Sequence, residues 1–154
     1  MKLFNISEKQ YGTEYKNHLL QQWVTCVEMS NNISERRINV NNFFITLNTA
    51  IVAFIKFQID YSSFFLSFVG IIVCILWLYN IENYKKLNTV KYDIILEIEK
   101  NLPIKPFDYE WDLIGRGKDK RKYKIFTKIE KAISYVFIFL YGLSILYPLI
   151  VQFI

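Results

Sequence analysis

Long uncharged runs alternate with polar stretches along this chain. The run from Ala132 to Ile154 has 23 residues without a charge, and a helix of that length, about 34 Å long, can cross a hydrocarbon core of about 30 Å. A second run of 19 uncharged residues, Tyr61 to Tyr79, carries aromatic residues at both ends, as expected at the membrane–water interfaces. Both runs predict transmembrane helices.

A weaker candidate for a span is Phe43 to Ile59, which contains several polar residues and one charge, Lys56. Lysine near the end of a span can extend its ammonium group to the headgroups. The alternative is a buried helix in a soluble domain. Because the span from Tyr61 needs a partner helix that brings the chain across, we predict an all-α fold with three transmembrane helices.

The placement of basic residues predicts the orientation of these spans. Of 19 Lys and Arg residues, five precede the first span and 13 lie between the second and third spans. Three crossings therefore put 18 of 19 on one side, as the positive-inside rule requires of the cytosolic side. This predicts a cytosolic N-terminus and an external C-terminus. No cleavable signal is expected, because the first 35 residues lack an apolar core.

The net charge of +5 requires no nucleic acid, since anionic lipid on the cytosolic side is a sufficient partner. The predicted segments are a cytosolic N-terminal helix (1–40), transmembrane helix 1 (41–60), transmembrane helix 2 (61–80), a cytosolic helix (81–102), a docked cytosolic loop (103–124) and transmembrane helix 3 (125–154).

The cytosolic helices carry apolar residues at helical spacing. The first is predicted to run from Glu8 to Val40 and into the first span, with Tyr11 to Val27 contributing a broad apolar face. The second continues the second span and ends before Pro103. Its seam is proposed to pack between subunits of a ring as well as within each, and consists of Ile81, Tyr84, Ile95 and Ile98. The alternative is that both helices pack only within one subunit.

Two prolines and two glycines predict a loop after the second cytosolic helix. Its Gly-Arg-Gly-Lys stretch lacks the Walker spacing, so we do not expect a phosphate loop. Asp108, Glu110 and Asp112 resemble a hard-cation site only loosely. A solvated acidic loop, or one that pairs with Arg116 and the following lysines, is favoured over a metal site. The basic run predicted at the membrane surface is Arg116, Lys118, Lys120, Arg121, Lys122 and Lys124.

No arrangement of residues predicts catalysis, a metal site or a bound cofactor. His18 is the single histidine, and the two cysteines, Cys26 and Cys74, have no metal-ligand spacing and fall in a reducing compartment or in a span. We therefore expect a protein that is not an enzyme.

The first span has a polar stripe at steps of 4, 3, 4 and 3 residues: Asn42, Thr46, Thr49, Ala53 and Lys56. These residues share one helical face. The stripe predicts close packing between helices. The alternative is a water-filled lumen in an oligomer.

The blocks Ile33–Arg37 with Asn41–Ala50, Tyr84–Asn88 through Pro103, and Pro106–Gly117 resemble the RipA family of octameric bacterial membrane proteins. The resemblance covers about residues 11 to 135 and implies a homo-octameric ring in the cytoplasmic membrane, linked to stress or host adaptation. The layout is also similar to SLATT effectors of bacterial conflict systems, which usually have two spans. The predicted function is a non-enzymatic scaffold or conduit. The alternative is a gated pore-forming effector.

Overall fold

The computed structural model describes residues 3–55, 61–119, 121–122 and 126–152. These residues form α1 (Glu8–Tyr11), α2 (Tyr15–Phe54), α3 (Tyr61–Glu99), α4 (Pro106–Leu113), a 3₁₀ helix (Gly115–Gly117) and α5 (Phe126–Gln152). No strand occurs in the described part of the chain. The chain divides into an extension unit, Met1–Glu35 with Lys86–Lys124, and a bundle unit, Arg36–Lys85 with Ile125–Ile154.

The N-terminal helix is not continuous from Glu8, contrary to the prediction. α1 ends after Tyr11, because Gly12 has a φ of 95°, a left-handed conformation that glycine adopts without steric cost. The α1 N-terminus is held by Ser7, whose backbone N–H donates to Oε1 of Gln10 at 3.2 Å. The long helix α2 then begins at Tyr15.

α3 is one helix of 39 residues, continuous across the predicted boundary at residue 80. It ends at Glu99, four residues before Pro103, and its last turn closes with a hydrogen bond from the Leu102 N–H to the Glu99 carbonyl at 3.0 Å. Glycine and proline are absent from residues 81–99 of this helix, so nothing interrupts the backbone hydrogen bonds there.

The segment predicted as a loop contains a helix of two turns, α4. Proline occupies its first turn, where the missing N–H removes no helical hydrogen bond. Two of its free N–H groups, those of Phe107 and Asp108, donate to the Glu99 carboxylate at 3.3 and 3.2 Å. Glu99 is fully buried, and it supplies a cap from outside the helix that the local sequence does not encode.

Two aromatic contacts dock α4 onto the other helices of the extension unit. The Phe107 ring lies 6.0 Å from the Trp23 ring on α2 and 6.0 Å from the Tyr92 ring on α3. Aromatic pairs at this separation add to the area they bury. The apolar character of the segment therefore reflects packing of its Phe107 rather than a free linker.

The core of the bundle unit contains Phe44, Trp77 and Ile81. The Phe44 and Trp77 rings stack at 5.8 Å and 8°, and Phe137 of α5 approaches Trp77 at 6.4 Å. Tyr141 is fully buried and packs against Gly70, where an added Cβ would lie 2.3 Å from its ring. Gly70 therefore permits the close approach of α3 and α5.

Two described helices are long and apolar enough to cross a membrane, Tyr61–Glu99 and Phe126–Tyr147. The first contains the whole second predicted span, and the second contains the part of the third predicted span from Ala132 to Tyr147. α2 is not among them, because asparagine and threonine lower its hydropathy, and residues 56–60 of the first predicted span lie outside the described residues.

Gly70→Ala should destabilise the bundle unit, because the new methyl group must displace the buried Tyr141 ring. Overpacking of this kind costs about 1–3 kcal/mol. Gly142→Ala is the matched control, since an added Cβ there meets no atom within 4 Å and alanine favours helix by up to about 1 kcal/mol. Thermal unfolding of the purified protein in detergent measures both. A melting temperature equal to wild type for Gly70→Ala would contradict the contact.

Candidate functional site: polar faces of the bundle unit

The outer face of α2 in the bundle unit carries the predicted polar stripe. Asn42, Thr46, Thr49 and Ala53 are all exposed in the single chain. Lys56, the fifth member, lies outside the described residues. Two phenylalanines, Phe43 and Phe54, are exposed on the same helix, so the stripe is a polar band with apolar neighbours.

The outer faces of the other two helices are apolar. On α3 the exposed side chains include Phe65, Phe68, Ile72, Ile75, Leu76 and Tyr79. On α5 they include Tyr135, Val136, Phe139, Leu143, Leu146, Tyr147 and Ile150. Lipid tails solvate such faces well but offer no partner to an amide or a hydroxyl group. The bundle unit therefore has two surfaces suited to lipid and one, on α2, that is not.

The inner face of α2 carries a buried ion pair that the sequence did not reveal. Nε of Arg37 donates to Glu130 at 3.0 Å, and its terminal nitrogen donates both to Glu130 and to the Thr127 hydroxyl, the latter at 2.8 Å. Side-chain exposure is 12% for Arg37 and 4% for Glu130. Buried charges need an oppositely charged partner and further hydrogen bonds, because desolvation costs several kcal/mol per ion.

Asn41 connects the ion pair to the aromatic core. Its amide nitrogen donates to Glu130, and its amide oxygen accepts a hydrogen bond from the Trp77 indole at 2.8 Å. Both hydrogen-bonding ends of this buried amide are therefore satisfied, as buried polar groups generally are. The pairing links α2, α3 and α5 within the bundle unit.

A second polar layer surrounds Asn48, which is fully buried. Its amide oxygen accepts from the Tyr141 hydroxyl at 2.9 Å and from the Cys74 thiol at 3.1 Å. Its amide nitrogen donates to the Phe44 carbonyl at 2.8 Å, and Ser134 donates to the Cys74 carbonyl at 3.3 Å. Cys74 is thus a hydrogen-bonding part of the helix packing.

A third layer pairs Ser67 of α3 with Ser144 of α5, whose hydroxyl oxygens lie 3.0 Å apart. Ser67 donates its proton to the Ser63 carbonyl at 2.8 Å, so Ser144 is the donor to Ser67. The serines of the second span therefore serve helix packing, as small polar residues do in membranes.

The predicted seam is buried inside the single chain. Ile81 belongs to the core of the bundle unit, Ile95 and Ile98 are buried in the extension unit, and Tyr84 is half-buried. A side chain with almost no exposed surface has none left for a neighbouring subunit. This favours the alternative, that the seam packs within one subunit.

The basic run is divided in the structure. Arg116 bonds to Asp112, and to Asp108 at 2.8 Å, while Lys118, Arg121 and Lys122 are exposed. The hydrogen bond from Arg116 lowers the pKa of the Asp112 carboxyl. Lys120 and Lys124 lie outside the described residues. Asp108 and Asp112 thus pair with Arg116, and no cluster of three metal-binding side chains occurs among the described residues.

The Gly-Arg-Gly stretch has a structural explanation. Gly115, Arg116 and Gly117 have φ values of 73°, 50° and 71°, so the chain makes a left-handed turn in which glycine is favoured. A Cβ at Gly117 would approach the Trp111 ring at 3.2 Å. The turn directs Arg116 back to Asp108 and Asp112 of α4.

A sequence model of octameric membrane proteins (8xMP) matches residues 20–150. The chain belongs to this family. The match covers most of α2 and α5 and all of α3 and α4. Together with the two apolar helices, it identifies a membrane protein, and the description of the 8xMP family supports assembly as a homo-octamer.

No curated protein and no solved structure matches the chain. The 8xMP match does not show that the chain belongs to the RipA group, and it does not show that the chain is a SLATT effector. Those two resemblances stay predictions.

Breaking the buried ion pair should destabilise the bundle strongly. Arg37→Met leaves Glu130 buried without its cationic partner, which costs about 3–5 kcal/mol. Glu130→Gln likewise leaves the Arg37 charge buried without its anionic partner. The double variant should be closer to wild type than either single variant. Unfolding of the detergent-solubilised protein measures the coupling between the two sites.

The control pair is Lys131 and Glu82, whose atoms approach to 2.7 Å but whose side chains are 35% and 34% exposed. Partly exposed pairs contribute about 0–1 kcal/mol, so Lys131→Met should have a small effect. If Arg37→Met and Lys131→Met lowered the free energy of unfolding by equal amounts, the buried pair would have no special role in stability.

Proposed function

We propose that this chain is a non-enzymatic subunit of an octameric ring in the bacterial cytoplasmic membrane, and that the ring acts as a conduit or scaffold. The observation that carries the proposal is the contrast between the polar outer face of α2 and the apolar outer faces of α3 and α5. A role in envelope stress or host adaptation follows from the resemblance to the RipA family.

The physical argument starts from solvation. An unpaired amide or hydroxyl group in hydrocarbon costs several kcal/mol, whereas Asn42, Thr46 and Thr49 are exposed in the single chain. In the proposed ring this face turns away from lipid, toward neighbouring subunits and the axis. Because water in a lumen solvates amide and hydroxyl groups that lipid cannot, we favour a conduit over a dry interface.

The proposed topology has three spans, with α2 contributing the first. The sequence argument of 18 basic residues on one side and the apolar α3 and α5 support it. The N-terminus is then cytosolic, and the exposed basic side chains Lys118, Arg121 and Lys122 face the cytosol, where anionic headgroups are available.

Cysteine labelling of intact cells tests this topology. A membrane-impermeant maleimide should react with a cysteine introduced at Ser62, which the three-span topology places outside. It should reach a cysteine at Lys118 only after the cells are opened. The background carries Cys26→Ser and Cys74→Ser. Labelling of Lys118→Cys in intact cells would refute the orientation.

Thr49→Asp tests the conduit. A carboxylate that faces a water-filled lumen stays solvated, so the ring should assemble and its conductance in planar bilayers should shift toward cations. In a dry interface the same charge costs about 2.5–3.5 kcal/mol at the helix centre, and assembly should fail.

Ile72→Asp on α3 is the matched control. Ile72 is exposed on an apolar face, two residues from Cys74, whose thiol contacts Asn48 beside Thr49. An aspartate there should prevent assembly whether or not the ring conducts. If wild-type rings do not conduct and Thr49→Asp also prevents assembly, the conduit is wrong and only the scaffold survives.

A further inference from the structure

The extension unit exposes an apolar patch that includes side chains from both of its long helices. This α2–α3 patch consists of Met29 of α2 and of Leu87, Val90 and Ile94 of α3. Leu87 and Val90 are each more than half exposed, and their spacing sets them on one face of α3 with Ile94. Met29 reaches the same part of α3, where its sulfur lies 3.8 Å from Nζ of Lys91.

A second apolar patch lies on the outer face of α4. It consists of Tyr109 and Leu113, which are each more than half exposed and share one helical face because they are four residues apart. The inner face of α4 carries Phe107, whose ring contacts α2 and α3. α4 therefore packs on its own subunit with one face and presents two large apolar side chains on the other.

The two patches lie on opposite sides of α3. Tyr92, whose ring contacts Phe107 of α4, is about 160° around the helix from Val90 and from Ile94, at about 100° per residue. A flat membrane surface can cover only one of two opposite sides, so lipid does not account for both patches. Subunits that meet head to tail in a closed ring use two different, complementary surfaces of this kind.

Each patch is flanked by one charge of opposite sign. Lys91 lies beside the α2–α3 patch, and Glu110 is exposed beside the α4 patch. Among the residues that the structure describes, no carboxylate pairs with Lys91 and no cation pairs with Glu110, whereas two other carboxylates of α4 pair with Arg116. Complementary charges at the edge of an interface select its partner and its register.

We propose that the α4 patch of each subunit docks on the α2–α3 patch of the next subunit around the ring. Tyr109 and Leu113 are the anchors by which α4 lays its apolar face on two helices of the neighbour, and Glu110 pairs with the partner subunit's Lys91. A second copy of this chain is the occupant, because the 8xMP description supports a homo-octamer and the two patches complement each other in charge. The inference rests on the octameric ring proposed above and adds the surfaces by which its extension units meet.

Cysteine cross-linking tests this contact. In a background with Cys26→Ser and Cys74→Ser, a chain that carries both Lys91→Cys and Glu110→Cys should give a ladder of up to eight linked subunits with a short bismaleimide. The purified octamer in detergent is treated and then separated on a denaturing gel. Each single-cysteine variant should give dimers at most, because a longer ladder needs two linkable positions in every subunit.

Glu28→Cys with Glu110→Cys is the matched control for position. Glu28 is exposed and lies about 160° around α2 from Ser30, which is buried. Glu28 therefore points away from the interior of the extension unit, and it is not part of either patch. This pair should give no ladder under the same conditions.

Val90→Asp, added to the chain with Lys91→Cys and Glu110→Cys, tests the apolar part of the contact. It should lower the yield of linked subunits at least about tenfold, because a charge then replaces a side chain at the centre of the interface. Val24→Asp is the matched control, since Val24 is exposed and lies about 140° around α2 from Met29. Both valines are exposed in the single chain, and far-UV circular dichroism verifies that both variants keep their helix content.

The native mass of the wild-type protein separates this inference from the ring itself. An octamer whose Lys91→Cys, Glu110→Cys form gives no ladder overturns the contact, leaves the ring intact and assigns the patches to a different partner. A wild-type protein that is not an octamer overturns both. Equal ladders with Val90→Asp and with Val24→Asp also overturn the contact, because linking would then not depend on the α2–α3 patch.

Discussion

A single amide oxygen, Oδ1 of Asn48, joins all three helices of the bundle unit. It lies on α2 and accepts hydrogen bonds from Cys74 of α3 and Tyr141 of α5. In lipid no water can replace these partners, so the groups must satisfy one another. Tyr141 reaches the site only because Gly70 leaves room for its ring. The placement of the three helices therefore depends on this contact and on the ion pair between Arg37 and Glu130.

The need of polar groups in lipid for hydrogen-bond partners within the protein also explains the composition of α2. Its inner face uses Arg37, Asn41 and Asn48 for bonds to α3 and α5, and its outer face exposes further polar residues. A helix that is polar on two faces has low mean hydropathy, although it packs with two strongly apolar helices. Hydropathy alone therefore does not identify α2 as a membrane span, and a crossing by α2 belongs to the proposed topology.

The sequence predicted the all-helical fold and the two apolar helices long enough to cross a membrane, because these depend on local periodicity and composition. It missed the break at Gly12 and the helix α4. Glycine tolerates both helical and left-handed conformations, so its presence alone did not fix the break. The α4 cap comes from Glu99, eight residues before Phe107, and only tertiary structure brings them together. Helical spacing groups Ile81, Ile95 and Ile98 on one apolar face, but spacing alone cannot say whether Ile95 packs within or between subunits.

The polar stripe on α2 is exposed in the single chain, so the way in which the octamer assembles decides whether other subunits or water solvate it. In the proposed ring, eight-fold symmetry sets the same residue of every subunit at one radius, so the eight Thr49 side chains would lie on one circle about the axis. Interhelical hydrogen bonds in membrane proteins average only about 0.6 kcal/mol, so a dry interface gains little from each polar pair. Water in a lumen satisfies every amide and hydroxyl without demanding close geometry. This asymmetry favours α2 next to the axis, with α3 and α5 facing lipid.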